Sequence, residues 1–527
     1  MLQAQTCLAA GDLTSSAGAV RHELFVTNRS ANNMKDVLSL LGIFLLGTIL
    51  ASGIASYVFL LPPRHPEGIP AVPFWVTLIP FFKDVDQSET FKKYVEEPIR
   101  AHGAVKLYFG ARWNLLVHRP RYLAEMFKHE DVYQKSGNQK KIAHSVLAAF
   151  LGDNIISSHG ATWKQYREVI KPGLQRTFET ETLERNAEKL CHLIDNAPVR
   201  AAGGARGIPV QELLQRYTIA NIAQVILQTD FGTLDRPDAT IHTLQTALKQ
   251  QIFKPIFMNF PFLDRLPIPS RKAAREMVAH FKDELASRLA RSHEKTGWES
   301  PHSSENLGAR LLAARRSGRL TEKQFRDNLT VLYVAGQENP QIGLISTLYL
   351  LAQHPDVQDR LWAEVSATGR DTGDKPTHEV LQRMPFMTAV VYESLRVLPP
   401  LSQLINRRAA EDVMLDGHVR VPRGTYLGYH CYSTHRDADY WGPDADRFRP
   451  ERWGDSVEAI QRFYRQKRTR AEFVSFHGGN RACLGERFAV LELKVTLFVL
   501  VKRFSWRLDP SWPNKMTPVS SPTHGSE

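Results

Sequence analysis

Cysteine is scarce in this chain of 527 residues: there are four, at positions 7, 191, 431 and 483, with no paired spacing among them. That excludes a disulfide framework, fits a reducing compartment, and leaves no cluster with the spacing of a zinc site. There is no internal repeat, and low complexity is confined to a polar tail after about residue 511. The formal net charge is +12, yet the basic residues are spread along the chain and no basic stripe interleaves with aromatics. Nucleic acid is therefore not an expected partner. No charge occurs from Val37 to Leu61, a stretch of 25 residues. At about 1.5 Å per residue, such a helix crosses a bilayer core of about 30 Å with some tilt.

What is present divides the chain into a tail (1–36), a transmembrane anchor (37–61), a hinge (62–70), one large domain (71–510) and a polar tail (511–527). The anchor starts too late and runs too long for the apolar part of a cleaved signal peptide. The hinge reads Pro62-Pro63-Arg-His-Pro66-Glu-Gly-Ile-Pro70, too proline-rich to be helix. With 43% hydrophobic residues the remainder can bury a sizeable core. Helical periodicity dominates from about 160 to 400, with β-like stretches near 105–118 and 403–428. The fold class expected is mostly α with minor β.

One helix carries chemistry. Thr321-Glu-Lys-Gln324 is a capping-box pattern that opens a long apolar helix containing Ala335-Gly336-Gln337-Glu338-Asn339-Pro340. Pro340 has no N–H for the carbonyl of Gly336, so the helix is expected to open there. A free carbonyl beside a carboxylate (Glu338) and an amide (Asn339) is a place to hold oxygen and deliver protons; a kinked helix packed in the core is the alternative.

The most specific segment is Phe476-His-Gly478-Gly479-Asn-Arg481-Ala-Cys483-Leu484-Gly485. Glycines let the backbone bend around a sulfur, N–H groups can point at it, Arg481 offers a cation, and Phe476 and Leu484 supply a dry shell. A buried structural cysteine would account for Cys483 but not for its neighbours. Glu393-Ser-Leu-Arg396 puts a carboxylate and a guanidinium on one helix face, and Arg452 in Phe448-Arg-Pro450-Glu-Arg452-Trp can close a network with Glu393.

These segments, with Trp163-Lys-Gln-Tyr-Arg167, resemble in order the motifs of the cytochromes P450, over roughly residues 62–510. The resemblance implies a P450 fold preceded by one N-terminal transmembrane helix, and a haem b whose iron is bound by Cys483. It further implies that Trp163, Arg167, Arg407, Phe476, Arg481 and Gly485 contact the haem, the cations pairing with its propionates. Arg408 adjoins Arg407 and is the other candidate there. His435 and His477 read as structural histidines. Gly336, Glu338 and Asn339 occupy the oxygen-activating positions, but the family has threonine where this chain has Asn339. An amide can hydrogen-bond a bound oxygen species yet shuttles protons less well than a hydroxyl. The Ala-Gly-x-Glu-Asn form resembles a branch of fungal P450s that oxidises tyrosine-derived compounds, coupling two phenols.

The expected function is oxidation of an apolar or aromatic small molecule of secondary metabolism, with phenol coupling and ordinary hydroxylation both open. A haem-binding protein without turnover, and an enzyme that uses peroxide or isomerises, are the other classes. Electrons are expected from a separate NADPH-cytochrome P450 reductase, docked with help from Lys467, Arg468, Arg470 and Arg487. The aromatic run Phe253 to Phe262 is expected to roof the substrate site. Arg21, Arg29 and Lys35 before the anchor against Arg64 alone after it favour a cytosolic N-terminus. The family's electron supply favours the opposite, a single-pass protein of the endoplasmic reticulum membrane with its catalytic domain cytosolic. Asn28-Arg-Ser30 would then be a lumenal glycosylation sequon.

Overall fold

A computed structural model of the chain describes residues 23–83, 85–198, 200–202, 205–296, 306–372 and 375–510. The described residues fall into two compact units, divided between Leu61 and Pro62. In the first, a helix runs Glu23–Leu60, and its part Asp36–Leu60 is 25 residues long with mean hydropathy 2.3. Leu40, Phe44 and Leu46 are among the apolar side chains it exposes. By length and composition this helix can cross a membrane. It ends where Pro62 and Pro63 forbid continuation.

The second unit is mostly helical with a small sheet. Five strands lie in the order Ala104–Tyr108, Trp113–Val117, Tyr426–Tyr429, Leu404–Ala409, Tyr133–Lys135. All neighbours are antiparallel except Trp113–Val117 with Tyr426–Tyr429. Four of these strands fall in the β-like stretches read from sequence; Tyr133–Lys135, three residues long, was not among them. The register slips between Ile405 and Arg407, a bulge at Asn406 that leaves Lys135 opposite Arg407. One apolar core joins the helices through Phe281, Tyr333, Leu344 and Leu497, and a second lies under the sheet around Leu115, Tyr133, Leu427 and Tyr429.

The helix Glu322–Gln353 crosses the domain and carries the predicted capping box, with Thr321 and Gln324 each bonded to the other's backbone. It does not open at Pro340: it is continuous, and the proline removes only the one hydrogen bond its missing N–H would make. Gly336 serves packing. A Cβ there would lie 2.4 Å from Cδ1 of Ile222, so the glycine admits the neighbouring turn Ile222–Leu227.

Candidate active site

The cysteine loop is built by close approach. A Cβ at Gly478 would sit 2.5 Å from the ring of Phe127, and one at Gly479, where φ is +62°, would sit 2.4 Å from the Phe127 carbonyl oxygen. Only glycine fits both places. Gly485 differs from the sequence reading: its φ of −88° is ordinary, and the nearest atom to a Cβ there is Sγ of Cys483, 3.9 Å away. It leaves free the side of the sulfur rather than bending the chain. The backbone N–H of Cys483 donates to the carbonyl of Phe476 at 2.9 Å, closing the loop. The N–H groups of Gly485 and Glu486, at the start of the helix Glu486–Arg503, favour a thiolate at Cys483.

Cys483 opens onto a cavity of about 3780 Å³, while the protein around it excludes water enough to push its thiol up to about 11. Burial therefore outweighs the N–H groups, and the free sulfur is a thiol at neutral pH. A bound metal cation supplies the charge that would deprotonate it. The cavity exceeds the common range of about 300–1,000 Å³ for small-ligand pockets, which leaves room for a large prosthetic group together with a substrate. Nine of the ten predicted site residues line it: Trp163, Arg167, Gly336, Glu338, Asn339, Phe476, Arg481, Cys483 and Gly485. Arg407 does not. It is fully buried behind the wall, donating to the Tyr133 carbonyl and to Glu130 Oε1, each at 2.7 Å, and its Nε has no partner. Arg408, the alternative, points outward.

In its place the wall presents Lys135, which sequence reading missed because it lies far away in the chain and arrives through the cross-strand pairing with Arg407. Burial and then the guanidinium groups of Arg407 and Arg481 hold the Lys135 amine well below its usual range. Burial also lowers Arg481 to about 10, opposed by Glu130 and reinforced by Arg407 and Arg167. Arg481 stacks over Trp163 at 4.4 Å and donates to the Ser158 carbonyl at 2.7 Å. Arg167 stacks on Trp163 at 5.2 Å. Among the described residues, Glu130 is the carboxylate that faces these cations. Like charges across a strand pair are unfavourable, so this edge is short of negative charge and fits a group bearing two carboxylates. With a sulfur open to the same cavity, the residues fit a haem.

His477 is packed between Phe127 and Tyr429, its ring held neutral by burial and by Lys135, Arg407 and Arg481. His435 accepts from the Val474 N–H at 2.8 Å and is pushed down to about 3 by burial. Both are structural, as expected. Glu393 takes Arg396 through two bonds of 2.8 Å, Arg452 at 2.8 Å, Trp453 at 2.9 Å and the Arg449 N–H at 2.9 Å, all but buried from solvent. This is the network the spacing predicted.

Elsewhere in the lining, Glu338 pairs with Lys249 at 2.9 Å, a residue of the helix Thr240–Ile252. Gln245 of that helix donates to Gln337 at 2.6 Å and accepts from Tyr333 at 2.9 Å. Gln337 continues to Thr218 and Gln341, a buried amide chain that sequence reading did not foresee. Asn339 donates through Nδ2 to the Ala335 carbonyl at 3.1 Å, and no described residue donates to its Oδ1. Two expectations need correction. Of the aromatic run, Phe253 reaches the cavity, but Phe257 lies against the Arg271 guanidinium and Phe262 is exposed, so the run is only in part a roof. Of the basic residues near the cysteine loop, Lys467 is buried on Glu472 at 2.7 Å and Arg468 pairs with Glu486 at 2.9 Å, leaving Arg470 and Arg487 exposed.

The sequence profile of the family described as Cytochrome P450 matches residues 66–524. Cytochrome P450-DIT2 of Saccharomyces cerevisiae is similar to this chain at 40% identity over 484 residues, 92% of this chain and 96% of that protein. Cytochrome P450 monooxygenase xanG of Aspergillus fumigatus is 38% identical over 464 residues, 87% of this chain and 86% of its own. Cytochrome P450 monooxygenase 91 of Postia placenta is 28% identical over 449 residues, 77% and 81% of the two chains.

Proposed function

The chain belongs to the cytochrome P450 family, and we propose that it is a membrane-anchored haem-thiolate oxidase that couples two tyrosine-derived phenols. Membership implies a haem and an oxidoreductase; the identity of the haem as haem b, the substrate and the coupling outcome are the proposal. Cys483 would bind the iron, and Arg481, Arg167, Trp163 and Lys135, with Arg407 behind them, would meet the two carboxylates of the cofactor. The bound haem supplies activation of O2 for removal of hydrogen from the substrate.

The observation that carries the coupling reading is the orientation of Asn339. Its amide nitrogen donates one N–H to the Ala335 carbonyl, and its oxygen, to which no described residue donates, is left as an acceptor on a side chain that lines the cavity. The Gly336 carbonyl, deprived of a proline N–H, adds a second acceptor. A phenol O–H is a donor that suits them, while the proton delivery that O2 cleavage requires, for coupling and insertion alike, has lost the hydroxyl expected at this position. Glu338, held by Lys249, keeps a carboxylate nearby to move protons. In balance, two phenols give up one hydrogen each and join by a new bond, while O2 with two electrons, two protons and those two hydrogens becomes two waters. The electrons come from NADPH through a separate reductase that approaches the exposed Arg470 and Arg487. The helix ending at Leu60 would anchor the protein, single-pass, in the endoplasmic reticulum membrane with this domain in the cytosol.

The test is mass spectrometry of products after the reductase-supplied protein meets a panel of N-acylated tyrosines and other phenols. A dimer two hydrogens lighter than two substrates is expected. A product one oxygen heavier than the substrate would make the protein a hydroxylating monooxygenase.

A further inference from the structure

A second lysine stands in the cavity wall without a carboxylate. Lys141 is 6% exposed, and its Nζ donates to Asn114 Oδ1 at 2.6 Å. Asn114 is itself fixed, its Nδ2 bonded to the carbonyls of Phe109 and Arg112 at 2.8 Å each. The amine faces the rings of Phe109 and Tyr426 at 5.6 and 5.3 Å. Gly110, at φ +61°, makes room for the end of this side chain: a Cβ there would lie 3.3 Å from Nζ. The charged side chain acting on the amine is Arg112, another cation, which stacks on Tyr426 at 4.5 Å and has an unpartnered Nε. Phe109, Gly110 and Lys141 line the same cavity as Cys483.

A lysine of no use to a ligand normally extends its amine to water or meets a carboxylate. This one does neither, and burial with the Arg112 charge brings it down to about 7. An ammonium has three donors and Asn114 accepts one. The aromatic faces favour the cation but do not replace the missing bonds. An anion with acceptor oxygens, entering by the cavity, would complete the set. Lys135 bonds Asn406 beside the Arg407 and Arg481 pairs with Glu130, whereas Lys141 bonds Asn114, so the two lysines have different partners.

We infer that Lys141 is the recognition point for a carboxylate on an aromatic substrate, a binding site distinct from the cation cluster assigned to the cofactor. The inference rests on the reading that this cavity takes small aromatic substrates, and it narrows their class to aromatic acids.

The experiment measures dissociation constants by calorimetry on the full-length, haem-loaded protein for N-acetyltyrosine, N-acetylphenylalanine and the methyl ester of each. Wild type should bind each acid about tenfold or more tighter than its ester, the size expected of a charge-assisted hydrogen bond. Lys141→Met should abolish that preference while ester affinity and haem content stay as in wild type; Lys141→Gln, which retains a donor for Asn114, serves if the methionine variant folds poorly. Equal binding of acid and ester by wild type, or an acid preference that survives in both variants, would overturn the inference. So would loss of haem from both variants, since a cofactor carboxylate would then be the partner. Tyrosine compounds binding no better than phenylalanine ones, with the acid preference intact and dependent on Lys141, would sink the phenol reading and support this one.

Discussion

Replacing Gly336 by alanine separates two accounts of the oxygen-site helix. If the glycine merely occupies a helix interior, Gly336→Ala should stabilise the protein by about 1 kcal/mol through helix propensity. The structure predicts otherwise, because the new methyl would sit 2.4 Å from Cδ1 and 3.0 Å from Cγ1 of Ile222, against a comfortable carbon contact of about 3.5–4.0 Å. Overpacking of this kind costs about 1–3 kcal/mol. The net effect should therefore be a destabilisation of up to about 2 kcal/mol. Ile222→Val deletes Cδ1 and alone costs about 0.5–1.5 kcal/mol. In the double variant the methyl fills the vacated space, so the two costs should fail to add by about 1 kcal/mol or more. Thermal and urea unfolding of the haem-loaded single and double variants measure this cycle. A stabilised Gly336→Ala protein, or strictly additive losses, would refute the packing role and leave Gly336 an ordinary helix-interior residue.

Glu393→Gln removes the charge on which buried Arg396 and Arg452 converge, and should cost about 3–5 kcal/mol, a large part of a typical domain stability of about 5–15 kcal/mol. Haem content per polypeptide should fall sharply; near-normal loading and urea midpoint would contradict the network's importance. Asn339→Thr supplies a hydroxyl for proton delivery, and the share of NADPH consumption that ends in product should rise. An unchanged share would make Asn339 a bystander. Glu492 is buried with Oε2 unpartnered, and burial pushes its carboxyl up to about 8 from an ordinary 4.5. The folded state holds that proton while the unfolded state releases it, so the group's contribution is lost as pH rises from about 4.5 through 8, by up to about 1.4 kcal/mol per unit. Glu492→Gln should consequently gain melting temperature relative to wild type between pH 6 and 8.5, and parallel curves would show that Glu492 is not protonated in the fold.

Motifs whose members are near one another in sequence were legible. The cysteine loop, the capping box at Thr321 and the Glu393–Arg396 pair depend on local spacing, and the structure places each as read apart from Gly485, whose backbone is ordinary. What escaped depends on pairings between distant segments. Lys135 becomes a site residue only because a three-residue strand pairs with Leu404–Ala409, a length too short for alternation to announce. Lys249 meets Glu338 across two helices, and Lys467 and Arg468 looked like surface charge until Glu472 and Glu486 claimed them. Pro340 misled in the other direction. A proline removes one hydrogen bond, and here the helix runs on through it, beside the amide chain of Gln337, Gln341 and Gln245 and the close approach of Gly336 to Ile222.

The most direct test of the account is the absorption spectrum of the reduced, carbon-monoxide-bound protein with Cys483 and with Cys483→His. The wild type should show the red-shifted Soret band of a haem held by thiolate, and the variant should lose that band even where it retains haem. A variant that keeps the thiolate band would contradict Cys483 as the iron ligand, and with it the site assembled around that sulfur.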